Sequence, residues 1–168
     1  MYISDFNYFR PKSIKEATTL LENSDDGAPI AGGTDLLVEI KQGLRHHEDI
    51  ISLTDIEELK IISEVPEGIF LGAGLTHNEL ISSTIIINKL PAIAQAASKI
   101  GCDQVRNKGT IGGNICTAAS CCDLGPVLLT LNASVELASS VETRTVPLID
   151  FIVFHRKTTI KKGELVTR

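Results

Sequence analysis

Two short stretches carry residue types that could hold a charged ligand. The first is Ala31-Gly32-Gly33-Thr34-Asp35, within "APIAGGTDLLVEI" at 28–40; the second is Thr110-Ile111-Gly112-Gly113-Asn114, within "GTIGGNIC" at 109–116. Glycine at a strand-to-helix turn lets peptide N–H groups approach a ligand with no Cβ in the way, and a helix N-terminus favours negative charge. A diphosphate has that requirement. Gly32 and Gly33, followed by Thr34 and Asp35, would form one wall, and Gly112, Gly113 and Asn114, after Thr110, the other. Neither stretch is the Gly-x-Gly-x-x-Gly of a Rossmann turn, and no Gly-Lys-Ser/Thr follows as in a P-loop. A glycine pair alone is also an ordinary structural turn. Two such pairs, each flanked by hydroxyl or amide side chains, point instead to a ligand held between them.

The remaining reactive residues point elsewhere. Cys102, Cys116, Cys121 and Cys122 begin a Cys-x4-Cys step, but adjacent cysteines follow where a plant-type iron–sulfur set needs Cys-x2-Cys. The reading preferred for them is buried, reduced cysteines lining a packed loop. His46, His47, His77 and His155 read as surface or packing residues. A formal net charge of −5 and the lack of a Lys/Arg cluster argue against nucleic acid or an anionic membrane as partner, with "HRKTTIKK" at 155–162 read as a solvated strand face. The opening "MYISDFNYFRPKSIKEA" has an acidic residue at position 5 and no apolar core of signal-peptide length, and nowhere do 18 apolar residues run together. The expected location is the cytoplasm.

With 168 residues, 43% of them hydrophobic, the chain can bury about two thirds of its unfolded surface, and its patterning supplies elements to position both glycine pairs. Ser13 to Glu16 forms a capping box, and Ile14, Ala17, Leu20 and Leu21 share one stripe of a helix over 14–22. "APIAG" is a short buried strand, and "TDLLVEIKQG" a helix of one to two turns ended by Gly43. "DIISL" at 49–53 is a strand. Thr54 to Glu57 makes a second capping box, and Pro66-Glu67-Gly68 turns a hairpin. A third box, Thr76 to Glu79, opens a short helix, and "PAIAQAASKIG" is a helix from Pro91 to Gly101. "GPVLLTLNA" begins a helix near Pro126, "SVELASSVETRTVPL" forms two antiparallel strands turning at 139–142, and "KKGELVTR" ends the chain as a strand. The helix–strand alternation of the first 50 or so residues suits parallel pairing, and the hairpin-rich remainder does not. The expected fold is therefore α+β in two lobes, residues 1–53 and 54–168, sharing one interface.

"AGGTDLLVEIK", "QVRNKGTIGGNICTAASCCDLGPVLLTLNASVEL" and the opening "MYISDFNYFRPKSIKEATTLL" resemble the FAD-binding subunit or domain of molybdenum hydroxylases, the xanthine dehydrogenase and carbon monoxide dehydrogenase family. The resemblance covers essentially the whole chain. It implies a two-lobed FAD-binding fold similar to that of vanillyl-alcohol oxidases, with the flavin between the lobes; no His or Cys of this sequence stands in a context that marks covalent flavin attachment. It also implies that Ala31, Gly32, Gly33 and Thr34 form the first diphosphate loop, with Pro29 and Ile30 on the strand before it. Thr110, Gly112, Gly113 and Asn114 match the second loop. Thr117 and Asp123 match positions meeting the diphosphate and the adenosine ribose, whose two hydroxyls a carboxylate accepts well. A helix N-cap is the second reading of Asp123, whereas Asp35 is explained equally well by capping and by the helix dipole.

The resemblance implies an electron-transfer flavoprotein subunit with no catalytic side chain of its own. FAD would take electrons from iron–sulfur clusters on one partner chain, supplied by a molybdopterin cofactor on another, and pass them to NAD or another acceptor. A further α+β domain follows in this family, so the chain reads as a fragment, a separately encoded piece or a subunit without that domain. Two alternatives stay open: a flavin-free assembly subunit and a free-standing flavin oxidoreductase. Phe9, Tyr8, Phe151 and Phe154 are the aromatic candidates for a partner interface, with core packing their other reading.

Overall fold

The computed structural model describes residues 5–168; the first four residues of the opening stretch lie outside them. Helices and strands are mixed throughout. The N-terminal portion runs β1 (Asn7–Phe9), α1 (Ile14–Asn23), β2 (Gly27–Ile30), α2 (Leu36–Lys41) and β3 (Asp49–Ser52). Its strands form a parallel sheet in the order β1-β3-β2, as the helix–strand alternation requires. A 3-10 turn at Glu57–Lys60 leads to the hairpin β4 (Ile62–Val65) and β5 (Gly68–Leu71). Five helices follow: α3 (His77–Ser82), α4 (Thr84–Lys89), α5 (Pro91–Lys99), α6 (Asp103–Arg106) and α7 (Ile111–Thr117). The chain continues through α8 (Leu124–Thr130), β6 (Ser134–Ala138), β7 (Thr143–Pro147), α9 (Leu148–Phe151), β8 (Ile152–Phe154), β9 (Lys157–Thr158) and β10 (Leu165–Val166). An antiparallel sheet is ordered β10-β6-β7. Past β10, Thr167 accepts from the N–H of Ala73 at 2.9 Å, tying the sheet to the segment before α3.

Burial follows these units. Ala28, Ile30, Ile40 and Ile50 pack between the parallel sheet and α2. Ala17, Leu21 and Ile51 pack with Ile56, Leu59 and Leu165 on α1's side. The largest cluster, with Leu80, Ile86, Ile93, Leu124, Leu137 and Phe151 at its centre, joins α3–α5 and α7–α9 to the antiparallel sheet.

Local signals explain most elements. Ser13 accepts from the N–H of Glu16 at 3.2 Å, while the Glu16 carboxylate returns to the N–H of Lys12, one residue before the cap. Thr76 and Glu79 form both bonds of their box. The expected Thr54–Glu57 box does not form. Thr54 is held by the Ser52 hydroxyl at 2.9 Å, and the fully buried Ile56 occupies the cap position of the 3-10 turn instead. Gly43 and Gly101 end their helices in the left-handed region, with φ of 73° and 45°. The second glycine stretch is not a loop. Residues 111–117 are helix α7, because the Thr110 hydroxyl accepts from the N–H of Gly113 at 3.0 Å and starts the helix one residue before the glycines.

Candidate functional site

The two glycine stretches meet. Gly32 lies so close to the chain before α7 that a Cβ on it would stand 1.8 Å from the carbonyl oxygen of Lys108 and 2.8 Å from the nitrogen of Gly109. Asp35 and Thr117 join the same two segments, the Thr117 hydroxyl standing 3.3 Å from Asp35 Oδ2 and donating to the Gly113 carbonyl at 2.9 Å. An ion pair between Arg156 and the buried Glu39 of α2 fastens the β8–β9 turn to the same region, and Arg45 holds the other Glu39 oxygen at 2.8 Å. Neither Glu39 nor Arg156 stands out in the sequence. A buried carboxylate on a short helix opposite a distant arginine has no one-dimensional signature.

The donors are unequally distributed between the two walls. Among the described residues, no hydrogen bond engages the backbone N–H groups of residues 31–35. Gly33 sits at φ 69°, the left-handed turn that lets successive N–H groups converge into an anion-binding concavity. The N–H groups of α7 are already committed: Ile111 donates to Leu75 at 2.9 Å, Gly112 to Ala73 at 2.9 Å, and Gly113 to Thr110. The second stretch therefore offers side chains rather than backbone. Its five candidates take different places. Gly112 is buried against Ala73, which a Cβ would meet at 2.7 Å, so this glycine exists for packing. Gly113 is exposed, with only the Thr110 hydroxyl nearby, and is the one glycine of the pair open to a ligand. Asn114 and Thr117 lie half-buried on the same side of α7, and Thr110 is buried and capping.

Other candidates separate further. Pro29 is exposed on β2, while Ile30 is buried in the cluster between sheet and α2 and serves the core. Ala31 and Thr34 are half-buried in the turn, and Asp35 is exposed. Neither aspartate caps its helix. Asp35 stands in the cap position of α2 without a capping bond and faces Thr117, and Asp123 stands in the cap position of α8, again without one. The exposed carboxylate of Asp123 is thus left to other partners.

Beneath this surface lies His77, 2% exposed, whose ring packs where a Cβ on Gly109 would stand 3.1 Å from it. Its Nδ1 is buried with no hydrogen-bond partner. Burial, with the charge of Arg106 adding to it and Asp123 opposing, pushes its pKa down to about 4, so the ring is neutral near pH 7. The thiols depart from expectation: Cys102, at the start of α6, and Cys121, in the turn before α8, are exposed, and Cys116 and Cys122 are half-buried. Burial raises Cys116 to about 12. Among the described residues, no group of three or more His, Cys, Asp or Glu is placed to hold a metal ion.

An apolar cavity of about 480 Å³ lies against the other face of α7, lined by Ile111, Gly112 and Ile115 together with Phe70, Leu128 and Arg168. Gly113, Asn114 and Thr117 project away from it, so the ligand wall and the cavity use opposite faces of one helix.

Residues 4–168 match the family model described as the FAD binding domain in molybdopterin dehydrogenase. The glyceraldehyde dehydrogenase medium chain of Sulfolobus acidocaldarius is 36% identical over 168 residues, covering 100% of this chain and 60% of the relative. The carbon monoxide dehydrogenase medium chain of Afipia carboxidovorans is 35% identical, covering 99% and 58%. Among solved structures, the cyanide-inactivated Cu,Mo-CO dehydrogenase superposes with a TM-score of 0.96 at 35% identity, over 99% of this chain and 59% of that one. Quinoline 2-oxidoreductase from Pseudomonas putida 86 gives 0.96 at 28%, with the same coverage. The chain thus spans about three-fifths of the length of these relatives, and within that span it belongs to the family of FAD-binding domains found in molybdopterin dehydrogenases.

Proposed function

We propose that this chain is the FAD-binding, electron-transferring part of a molybdenum-containing dehydrogenase or hydroxylase complex. The observation that carries the reading is the run of unengaged N–H donors at residues 31–35, held by the Gly32–Lys108 approach and the Asp35–Thr117 contact against the open side of α7. Five successive donors around a left-handed glycine suit two linked phosphates, and a family of FAD-binding domains supplies the matching group.

In this reading residues 31–35 donate backbone N–H groups to one side of the diphosphate. Asn114 adds an amide donor from α7, and Gly113 leaves the room. The Thr110 hydroxyl, accepting from Gly113, keeps its own proton free to donate. Asp123 accepts from the ribose hydroxyls, which its freedom from capping permits. Pro29 and Ile30 set the strand direction into the turn. The chemistry FAD would supply when bound is redox: it takes electrons originating at a molybdopterin centre through iron–sulfur clusters and yields them to NAD or another acceptor. Neutral His77 beneath the loop adds no positive charge to the site.

We also propose the finer architecture: two lobes, residues 1–53 and 54–168, arranged as in vanillyl-alcohol oxidases with the flavin between them, working in the cytoplasm. Partners would be an iron–sulfur subunit and a molybdopterin-binding subunit. Exposed Ile149, Val153 and Phe154 offer an apolar face for one of them, whereas Phe151 is core and Phe9 packs against α1's cluster. No helix among the described residues is long and apolar enough to cross a membrane.

The test is titration of the flavin-free chain. FAD at a hundred times its Kd should stabilise the fold by about 2.7 kcal/mol, while FMN, which keeps one phosphate but lacks the adenosine monophosphate half and hence the diphosphate link, should stabilise it far less. Equal binding of the two would remove the diphosphate assignment, and no binding of either would favour a flavin-free assembly subunit.

A further inference from the structure

Asn114 and Cys122 form a contact that the flavin-binding reading leaves unused. Asn114 lies on α7, and Cys122 lies in the turn entering α8. The Cys122 thiol donates to Asn114 Oδ1, with sulfur and oxygen 2.7 Å apart. The same sulfur accepts from the N–H of Gly125, in the first turn of α8, at 3.3 Å. That incoming N–H occupies a sulfur lone pair and leaves the S–H directed at the amide oxygen. Burial raises the Cys122 pKa, so the proton is in place at neutral pH.

An asparagine side chain is nearly symmetrical in shape but opposite in polarity at its two ends. With nothing to distinguish them, it would present either its oxygen or its NH2 to a neighbouring anion. Oxygen facing phosphate is repulsive, and NH2 facing phosphate is a hydrogen bond. A donor behind Asn114 decides the matter by holding the oxygen inward and turning Nδ2 outward, where no described residue engages it.

We propose that Cys122 is a positioning residue for the flavin site: its thiol fixes the amide of Asn114 with the NH2 end toward the bound diphosphate. This rests on the FAD reading given above. The effect requires the contact between α7 and α8, not the reactivity of the thiol, and a hydroxyl at position 122 could serve in its place.

The experiment is a double-mutant cycle on the full chain, with FAD affinity read from flavin fluorescence. Cys122→Ala should weaken FAD binding by about five-fold, the worth of one hydrogen bond, and Cys122→Ser should restore most of it. Asn114→Ala should weaken binding by itself, and adding Cys122→Ala to it should cost nothing more. A purely structural role for Cys122 predicts the opposite, with the two losses multiplying. A second measurement needs no flavin. In the flavin-free protein the Asn114 side-chain amide resonances should move in Cys122→Ala and stay near wild type in Cys122→Ser. Wild-type affinity in Cys122→Ala, multiplying losses, or unmoved Asn114 resonances would each overturn the proposal. If wild type itself binds no FAD, the functional reading fails first and this one with it, an outcome distinct from wild type binding tightly and Cys122→Ala equally so.

Discussion

The glycines of the two stretches differ in what they leave room for, and substitution should separate them. Gly32→Ala forces a methyl into the backbone of Lys108 and must part the segments; an overpacking cost of about 1–3 kcal/mol or more is expected in urea melts. Gly113→Ala meets only the Thr110 hydroxyl, at 3.1 Å, inside a helix. There alanine is the better helix former by about 1 kcal/mol, so stability should hold or rise while flavin retention falls. Similar destabilisation by both would show that Gly113 is packed after all. His77 offers a second residue-scale test. Its folded pKa of about 4 lies below the ordinary value of 6.5, so between these pH values the unfolded chain binds more protons and the fold loses stability as pH falls. Stability should be full above about pH 6.5 and decline toward pH 4, by at most about 1.4 kcal/mol per pH unit from this group. His77→Gln should flatten that part of the profile, and an unchanged slope would show that the ring is not buried neutral. The site was legible in the sequence as a set of residue types. What could not be read was that a side chain at Gly32 or Gly112 would collide with Lys108 or Ala73, since that depends on these segments approaching from elsewhere in the chain.

Helices and strands signalled by periodicity and caps were legible with boundaries close to those observed. Examples are α1 behind Ser13, α5 behind Pro91, and the β6–β7 pair around its polar turn. Three kinds of element escaped. Short strands such as β1 are held by ladder bonds to a partner more than thirty residues away rather than by their own pattern. Helix α4 follows α3 with only Ser83 between them, and Ser83 is the end of one and the cap of the other. Helix α7 hides behind two glycines, poor helix formers that Thr110 and the docking onto Ala73 and Leu75 override. The contrast between committed and uncommitted amides gives an element-scale prediction. Hydrogen exchange at residues 31–35 should be fast in the flavin-free chain and slow on the order of ten-fold or more with FAD bound. Residues 111–113 should be slow in both states. Equal protection changes in the two segments would show that α7 also reorganises around the ligand.

At the scale of the whole molecule, the exposed apolar face of α9 and β8 is remote in kind from the donor-lined site proposed for the flavin. The two should therefore separate by mutation. Phe154→Asp, together with Ile149→Asp, alters side chains that are 73% and 72% exposed and should change stability by less than about 0.5 kcal/mol. FAD affinity should stay the same, while recovery of iron- and molybdenum-containing partners in pull-downs from the native host should fall several-fold. Unchanged recovery would place the docking face elsewhere on the chain.

Gly32 and Lys108 touch at backbone distance although everything from α2 to α6 lies between them in the chain. Such a closure is among the entropically slow steps of folding, because the chain must be looped before packing can compensate. Synthesis proceeds from the N-terminus, so the donors of residues 31–35 leave the ribosome long before the segment that holds them in place. The proposed cofactor site is thus a late product of folding, absent from any nascent chain that ends short of α7.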